Sequence, residues 1–270
     1  MPQKLLENSQ PAFQERFSLS QDLRKYQGGD PMNVHGNTEQ LSHHVAKGKF
    51  EAFWQQAGRS KGPPAGFKKL IQFSIKKKIP LQTVSTDILD HNMNDSFKKF
   101  IDGKYLMPDL VFRAKNIGDA RKMLITHDKA MKSLSKGKIL MATIDGEYHR
   151  QGKDIVTSLL RGIGFKTIDL GLGVPVEDIV NAVKRHTPDY LGISAFILAT
   201  IPKIKILKNC LEKDGGLKKT KVIIGGYIAN EESSKSIGAE HYCKNITQTI
   251  SLIKALSGMP VDRLPKHLPA

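Results

Sequence analysis

The hydrophobic pattern changes near residue 138, and this change constrains the fold more than any other feature of the chain. From there on, short apolar runs alternate with segments of helical periodicity, which is typical of sheets with parallel strands. The predicted strands are Lys138–Ile144, Lys166–Leu170, Tyr190–Ser194, Lys221–Gly225 and a weaker one at Glu240–Cys243. The predicted helices are 152–163, 175–186, 201–213, 229–237 and 246–256. Joined by right-handed crossovers, these units predict an α/β fold with a flavodoxin-like, doubly wound sheet of five parallel strands.

Before this change, apolar residues recur at helical spacing. We predict four helices, which begin near Leu41, Phe67, Val84 and Pro108 and are joined by short links. Four helices with short links form a small bundle. The two patterns therefore predict a polar N-terminal arm at 1–37, a helical bundle at 38–134, an α/β domain at 136–256 and a Pro-rich tail at 257–270.

The composition predicts a cytoplasmic protein. Apolar residues make up 39% of the 270 residues, and no run approaches the roughly 20 that a membrane span needs. The N-terminal residues lack the apolar core of a signal peptide. Cys210 and Cys243, the two cysteines of the chain, make neither a disulfide framework nor a zinc site.

The net charge of +16 at pH 7 admits several interpretations. Basic clusters such as Lys68-Lys69, Lys76-Lys77-Lys78 and Lys98-Lys99 attract phosphate, as a nucleic-acid surface does. Aromatic residues for base stacking are sparse, however, and no helix-turn-helix or zinc pattern is present, so the sequence disfavours nucleic acid. The remaining interpretations are a solvated face and a docking surface for an acidic partner protein.

Three segments follow predicted strands at their carboxyl ends: Glu147–Gly152, Ser194–Phe196 and Gly225-Gly226. Each alone has an ordinary explanation, namely a surface histidine, a helix cap and a turn. Together they surround one crevice, where open α/β sheets bind their ligands. Glu147 lies two residues before His149, where an acid holds the far nitrogen of a metal-binding imidazole.

The order of these segments resembles a known family. It is similar to the corrinoid (vitamin B12) proteins of anaerobic methyltransferase systems, which are related to the cobalamin module of methionine synthase. Their signature is Asp-x-His-x-x-Gly, then Ser-x-Leu, then Gly-Gly, preceded by a helical cap. Here it reads Glu147-x-His149-x-x-Gly152, Ser194-x-Phe196 and Gly225-Gly226. Further similar stretches are Phe165–Gly171, Val174-Pro175, Thr200-Ile201-Pro202 and Gly103–Leu110, so the resemblance covers roughly 40 to 256.

The resemblance implies a role for each of these residues around a cobalamin or related corrinoid. His149 becomes the lower axial ligand of cobalt, and Glu147 accepts a hydrogen bond from its other ring nitrogen. Thr200 matches the position whose hydroxyl binds that acid. The remaining implied contacts are Ser194, Gly152, Phe196, Gly225 and Gly226 with the nucleotide tail, and Leu106, Met107 and Val111 of a mobile cap with the upper face of the corrin ring.

The implied function is that of a methyl carrier. The chain takes a methyl group on Co(I) from a substrate-specific methyltransferase and passes it from methyl-Co(III) to an acceptor methyltransferase acting on a thiol or a tetrahydropterin. A reductive activator is a third implied partner, and the chain alone is expected to show no turnover. The alternatives are a B12-dependent sensor and a carbon-skeleton mutase subunit, although the latter lack the helical cap.

Two positions depart from the family signature. Glu147 stands where relatives have aspartate, and its extra methylene either shifts the carboxylate or requires the loop to adjust. Phe196 stands in place of leucine and is bulkier.

Overall fold

A computed structural model describes residues 74–76, 80–214 and 219–259, which belong to a compact unit that spans 46–270. The predicted arm at 1–37, the helix that begins near Leu41 and nearly all of the tail lie outside these residues. So does most of the helix predicted to begin near Phe67, of which Ser74–Lys76 is described as helical. The predicted division into domains stays a prediction.

Two long helical segments precede the sheet. The first contains Leu81–Thr83, a π-helical stretch Val84–Asp90 and helix α1, His91–Ile101. Helix α2, Met107–His127, follows a turn and leads into a 3-10 segment at Lys129–Leu134. The start of α2 agrees with the prediction, because Pro108 lies in its first turn and the Asp109 carboxylate accepts the backbone N–H of Leu106 at 3.0 Å.

The sheet has five parallel strands in the order β2-β1-β3-β4-β5. This order is the flavodoxin-like one, so the prediction of the fold class is confirmed. The strands are β1 Lys138–Ala142, β2 Lys166–Asp169, β3 Tyr190–Ser194, β4 Lys221–Gly225 and β5 His241–Cys243. The order of the sheet reverses between β1 and β3, and the loops that follow these two strands therefore meet at its carboxyl edge.

Five helices connect and cover the strands, each within two residues of its predicted bounds. They are α3 Gln151–Ile163, α4 Val176–His186, α5 Ile201–Lys213, α6 Glu231–Ile237 and α7 Ile246–Ser257. As predicted, α3 ends at Gly164, whose φ of +111° suits glycine. No helix in the described ranges is long and apolar enough to cross a membrane.

The core forms two clusters, one on each face of the sheet. Successive side chains of a strand point to opposite faces, so Ile139 and Met141 join one cluster while Leu140 and Ala142 join the other. The first cluster combines residues of α3 and α7 with residues of α1 and α2. The helices before the sheet therefore share a core with the α/β fold.

Helix α2 lies very close to α3. A Cβ on Gly162 would come within 2.9 Å of the Cα and the carbonyl oxygen of Ala114, so only glycine permits this approach. The buried Arg121 guanidinium spans the same junction, because its Nε donates to the Gly162 carbonyl at 2.9 Å and it pairs with Asp90. Small residues and one compensated charge therefore fix α2 on α3.

Candidate functional site

The loop after β1 is held from below by Thr143. The Thr143 hydroxyl donates to the Glu147 carbonyl at 2.5 Å and accepts the Gly173 N–H at 2.9 Å. The side chain of Lys203 also reaches the loop and pairs with Asp145 at 2.6 Å. These bonds fix the backbone that carries Glu147 and His149 at the carboxyl edge of the sheet.

The carboxylate of Glu147 is fully paired beneath this edge. Its side chain is 1% exposed. Oε1 accepts the backbone N–H of His149 at 3.0 Å and lies 2.6 Å from the Nδ1 of the same residue. Oε2 accepts the backbone N–H groups of Phe196 and Ile197 at 2.6 and 2.9 Å.

These bonds decide the charge of the pair. Burial by itself raises the pKa of Glu147, but the N–H donors of His149, Phe196 and Ile197 together outweigh it and lower the pKa below its ordinary value. An ionised carboxylate can only accept hydrogen bonds, so Nδ1 of His149 carries the proton. Nε2 makes no hydrogen bond to the described residues, and 58% of the His149 side chain is exposed. The arrangement offers one imidazole donor to a metal.

Thr200 differs from the expectation drawn from the resemblance. It is buried, but its hydroxyl donates to the Ile197 carbonyl at 2.7 Å and makes no hydrogen bond with Glu147. The longer glutamate side chain explains the difference, because Oε2 reaches the backbone N–H groups of the β3 loop directly. Thr200 instead stabilises the turn that presents those groups.

Exposed apolar side chains surround His149. The ring of Phe196 lies 4.6 Å from the imidazole and 5.2 Å from the ring of Tyr227, measured between centroids. The exposed members of this group are Tyr148, Phe196, Ile197, Leu198 and Tyr227. A contiguous cluster of exposed apolar residues is typical of a surface that binds a ligand or a partner.

A cavity of about 240 Å³ opens next to this surface, between the sheet and helices α3 and α7. Gly152, Ser194, Gly225 and Gly226 all line it, whereas Phe196 lies outside the lining. Contact of these residues with a nucleotide tail stays a prediction. The Ser194 hydroxyl has no hydrogen-bond partner within the described ranges and is available to a ligand. Burial raises the pKa of the Cys243 thiol, which also lines the cavity, to about 11, so this thiol stays neutral.

The glycines of the signature differ in why a side chain is absent at each position. A Cβ on Gly226, which has a φ of +113°, would overlap the carbonyl oxygen of Ala195, so the chain itself requires this glycine. The nearest atoms to a Cβ on Gly225 and on Gly152 lie 4.0 and 3.8 Å away, at Cys243 and Ser194. The space at these two positions is therefore open to a ligand.

The three predicted cap residues occupy different environments. Met107 lines the cavity together with α3 and α7. Leu106 is 72% exposed and Val111 is half-buried. Contact of these residues with the upper face of a corrin ring stays a prediction.

Sequence reasoning missed two features of the cavity wall. Gly192, in the middle of β3, leaves room that Met141 and the cavity share. Lys153 is 2% exposed and places its ammonium 2.7 Å from both carboxylate oxygens of Asp169. The sequence shows a lysine directly after Gly152 on an amphipathic helix, which could have indicated a charged residue near the cavity. Nothing in the sequence pairs this lysine with Asp169.

These features fit one kind of ligand. An exposed imidazole, an apolar surface around it and an adjoining cavity with a free hydroxyl suit a metal cofactor that carries a long tail. The fold and the site define an α/β protein that binds such a cofactor at the carboxyl edge of its sheet.

Comparison with known proteins gives the same result. Residues 137–244 match the B12 binding domain. The chain is 30% identical over 167 residues to dimethylamine corrinoid protein 3 of Methanosarcina mazei. This alignment covers 61% of this chain and 99% of that protein. The protein of the same name from Methanosarcina acetivorans is 28% identical over 181 residues, with 67% and 85% covered. The chain belongs to the corrinoid protein family, and its cofactor is a corrinoid.

Solved structures share the fold. A cobalamin-binding protein from Desulfitobacterium hafniense matches with a TM-score of 0.52 and 24% identity, over 82% of this chain and 97% of that one. A chain of the methanol:cobalamin methyltransferase complex of Methanosarcina barkeri matches with a TM-score of 0.61 and 20% identity, over 97% and 100%. Both confirm an α/β fold with a helical cap.

Proposed function

We propose that this protein carries a methyl group on its corrinoid from a substrate-specific methyltransferase to an acceptor methyltransferase. The observation that carries the proposal is the exposed imidazole of His149, anchored by the buried carboxylate of Glu147 beside the Ser194 cavity. When bound, the corrinoid supplies a cobalt ion that accepts and releases methyl groups. The names of the relatives, which include dimethylamine corrinoid proteins, support the same function.

His149 would hold the cobalt ion of the corrinoid through Nε2. The Glu147 carboxylate accepts the Nδ1 proton, which fixes the tautomer and raises the donor strength of Nε2. Because Phe196 and Ile197 donate backbone N–H groups to the same carboxylate, Glu147 is held in place by the loop after β3 as well as by His149. The loop after β3 thereby positions a ligand on the loop after β1.

The cavity holds the nucleotide tail. Ser194 donates or accepts a hydrogen bond there, and Gly152 and Gly225 leave the space that the tail occupies. Thr200 acts indirectly, through the turn that it stabilises. The aromatic ring of Phe196 packs against the imidazole and forms part of the surface beneath the corrin ring.

The helical segment before the sheet would shield the upper face of the corrin ring through Leu106 and Val111. Met107 lines the cavity instead and would contact the nucleotide tail. The acceptor substrate is a thiol or a tetrahydropterin, and a reductive activator restores protein that has been oxidised. We place these reactions in the cytoplasm, where the free thiols of Cys210 and Cys243 stay reduced.

The visible spectrum of the protein tests the site. The wild type, His149→Ala and the control His127→Ala, which changes an exposed histidine of α2, are each reconstituted with hydroxocobalamin. We expect the spectrum of His149→Ala alone to differ, because the axial donor has changed. Coincident spectra for all three would contradict ligation by His149.

Methyl transfer tests the function. The loaded protein is reduced to its Co(I) form with titanium(III) citrate and incubated with a methylamine or methanol methyltransferase and its substrate, and the methylated corrinoid is followed by its absorbance. We expect methylation only when protein, enzyme and substrate are all present. Light-dependent oligomerisation with adenosylcobalamin and no methylation would instead indicate a sensor.

A further inference from the structure

A second cavity, of about 460 Å³, lies where α2, the 3-10 segment Lys129–Leu134 and the start of β2 meet. It shares no lining residue with the cavity at Ser194, although different faces of α3 contribute to both. Its volume is that of pockets that bind small molecules. The apolar part of its lining consists of Leu124, Ile125, Met131, Leu134 and Phe165.

The charged part of this lining has one sign. It consists of Arg121, Lys122, Lys132, Arg161 and Lys166, with no aspartate or glutamate from the described residues. Lys132, Arg161 and Lys166 form no ion pair within the part of the chain that the structure describes. Lys122 reaches a carboxylate, that of Asp119, only at 3.5 Å.

The most buried of these cations, Arg121, shares its carboxylate partner with a second cation. Arg121 pairs with Asp90, but the other oxygen of Asp90 lies 3.2 Å from the ammonium of Lys136. One carboxylate therefore serves two cations at the back of the cavity. Several positive charges around an apolar surface repel one another, and a bound anion relieves this repulsion.

We propose that this cavity binds a small organic anion with an apolar body. The body lies against Leu124, Met131 and Phe165, and a carboxylate or phosphate group lies between Arg161 and Lys166. The apolar lining distinguishes this ligand from an inorganic ion, and the cations distinguish it from a neutral one. The site is separate from the corrinoid and from methyl transfer.

Isothermal titration calorimetry on the corrinoid-loaded protein tests the proposal with octanoate, octyl phosphate and the neutral 1-octanol. We expect at least one of the anions to bind about tenfold tighter than octanol, since charge-assisted hydrogen bonds are the stronger ones. The tighter of the two anions identifies the head group. The proposal would be overturned if neither anion binds, or if octanol binds as tightly as the anions do.

Two variants locate the site. Arg161→Gln combined with Lys166→Gln keeps much of both side-chain stems, and we expect it to weaken anion binding about tenfold while octanol is unaffected. Lys205→Gln combined with Lys221→Gln removes the same charge at exposed positions outside the cavity, and we expect less than about a twofold change at physiological salt. An equal loss in both double variants would mean general charge attraction and would refute the site.

A third variant fills the cavity. Ile125→Phe adds volume at a half-buried lining residue, so we expect all three ligands to bind more weakly. A denaturation curve for each variant establishes that it is folded. Undiminished binding by folded Ile125→Phe would place the ligand elsewhere and contradict the proposal.

Discussion

The α2–α3 junction and the edge that carries His149 are built in opposite ways. At the junction, Gly162 and Ala114 lack large side chains, so two helix backbones meet and Arg121 is buried with its partners. At the edge, Phe196 and Tyr227 are exposed, and the Glu147 carboxylate beneath them is fully buried. The protein is therefore tightly packed at the α2–α3 junction and open at the edge where we propose that the cofactor binds.

This difference bears on the expectation of a mobile cap. Helix α2 cannot leave α3 as a rigid body without exposing Arg121 and opening the contact at Gly162. We therefore expect any movement that admits a partner enzyme to occur around the exposed Leu106, while the junction stays intact.

Arg121→Met should produce the largest effect. It removes one partner of a buried ion pair and leaves Asp90 to Lys136, so the free energy of unfolding should fall by about 3 kcal/mol. Urea denaturation measures the loss. Arg185→Met, at an exposed position of α4, should change stability by less than about 0.5 kcal/mol, and equal losses in the two variants would refute the role of the junction.

Gly162→Ala tests the close approach of the two helices. Its Cβ would meet backbone atoms of Ala114 at 2.9 Å, and backbone cannot move aside cheaply. The added methyl group should lower the free energy of unfolding by about 1–3 kcal/mol, whereas replacing a glycine by alanine inside a helix usually raises it. A variant as stable as the wild type would show that the helices are not held at this distance.

Glu147→Gln tests the buried carboxylate of the open edge. At pH 7 the variant should be about 1–3 kcal/mol less stable, because the backbone N–H groups of Phe196 and Ile197 lose a charged acceptor. A pKa that folding lowers contributes stability above the unfolded value of about 4.3, and this contribution is lost as the pH falls through the lower folded value.

The stability difference between wild type and Glu147→Gln should therefore narrow as the pH falls below about 4. Denaturation curves over this range measure it. Glu231→Gln, which removes an exposed carboxylate paired with Lys235, is the control and should differ little from the wild type at any pH. A difference for Glu147→Gln that is independent of pH would mean that the carboxylate is not ionised in the folded state.

Gly152→Ala should have the smallest effect on stability and is the counterpart of Gly162→Ala in the same helix. The nearest atom to its Cβ is the Ser194 hydroxyl oxygen at 3.8 Å, so stability should change by less than about 1 kcal/mol. Corrinoid affinity, measured by equilibrium dialysis, should nevertheless fall because the methyl group enters the tail cavity. Unchanged affinity would show that the tail does not pass Gly152.

The sequence predicted the sheet well because its signal is local and repeated. Each strand is a short apolar run followed by a helix with its own start and stop residues, and Gly164 and Pro175 mark such ends. The carboxyl ends of parallel strands share one edge of the sheet, so the sequence alone predicts that His149, Ser194 and Gly225 lie close together.

The partners of buried polar groups could not be predicted in the same way. Glu147 binds backbone N–H groups, which every residue except proline has, so no sequence pattern marks Phe196 and Ile197 as its partners. The resemblance indicated the Thr200 hydroxyl as a partner of this acid instead. The pairing of Lys153 with Asp169 joins residues from two elements and likewise depends on the packed structure.

The central claim is that His149 is the lower ligand of the cobalt, and electron paramagnetic resonance of the Co(II) form tests it most directly. The protein is prepared with ¹⁵N-labelled histidine and loaded with unlabelled cobalamin. Ligation by His149 predicts that the axial superhyperfine pattern changes from the triplets of ¹⁴N to the doublets of ¹⁵N, and that the doublets vanish in His149→Ala. Triplets that persist in the labelled wild type would show that the nucleotide base of the cofactor holds the cobalt, and would contradict the account.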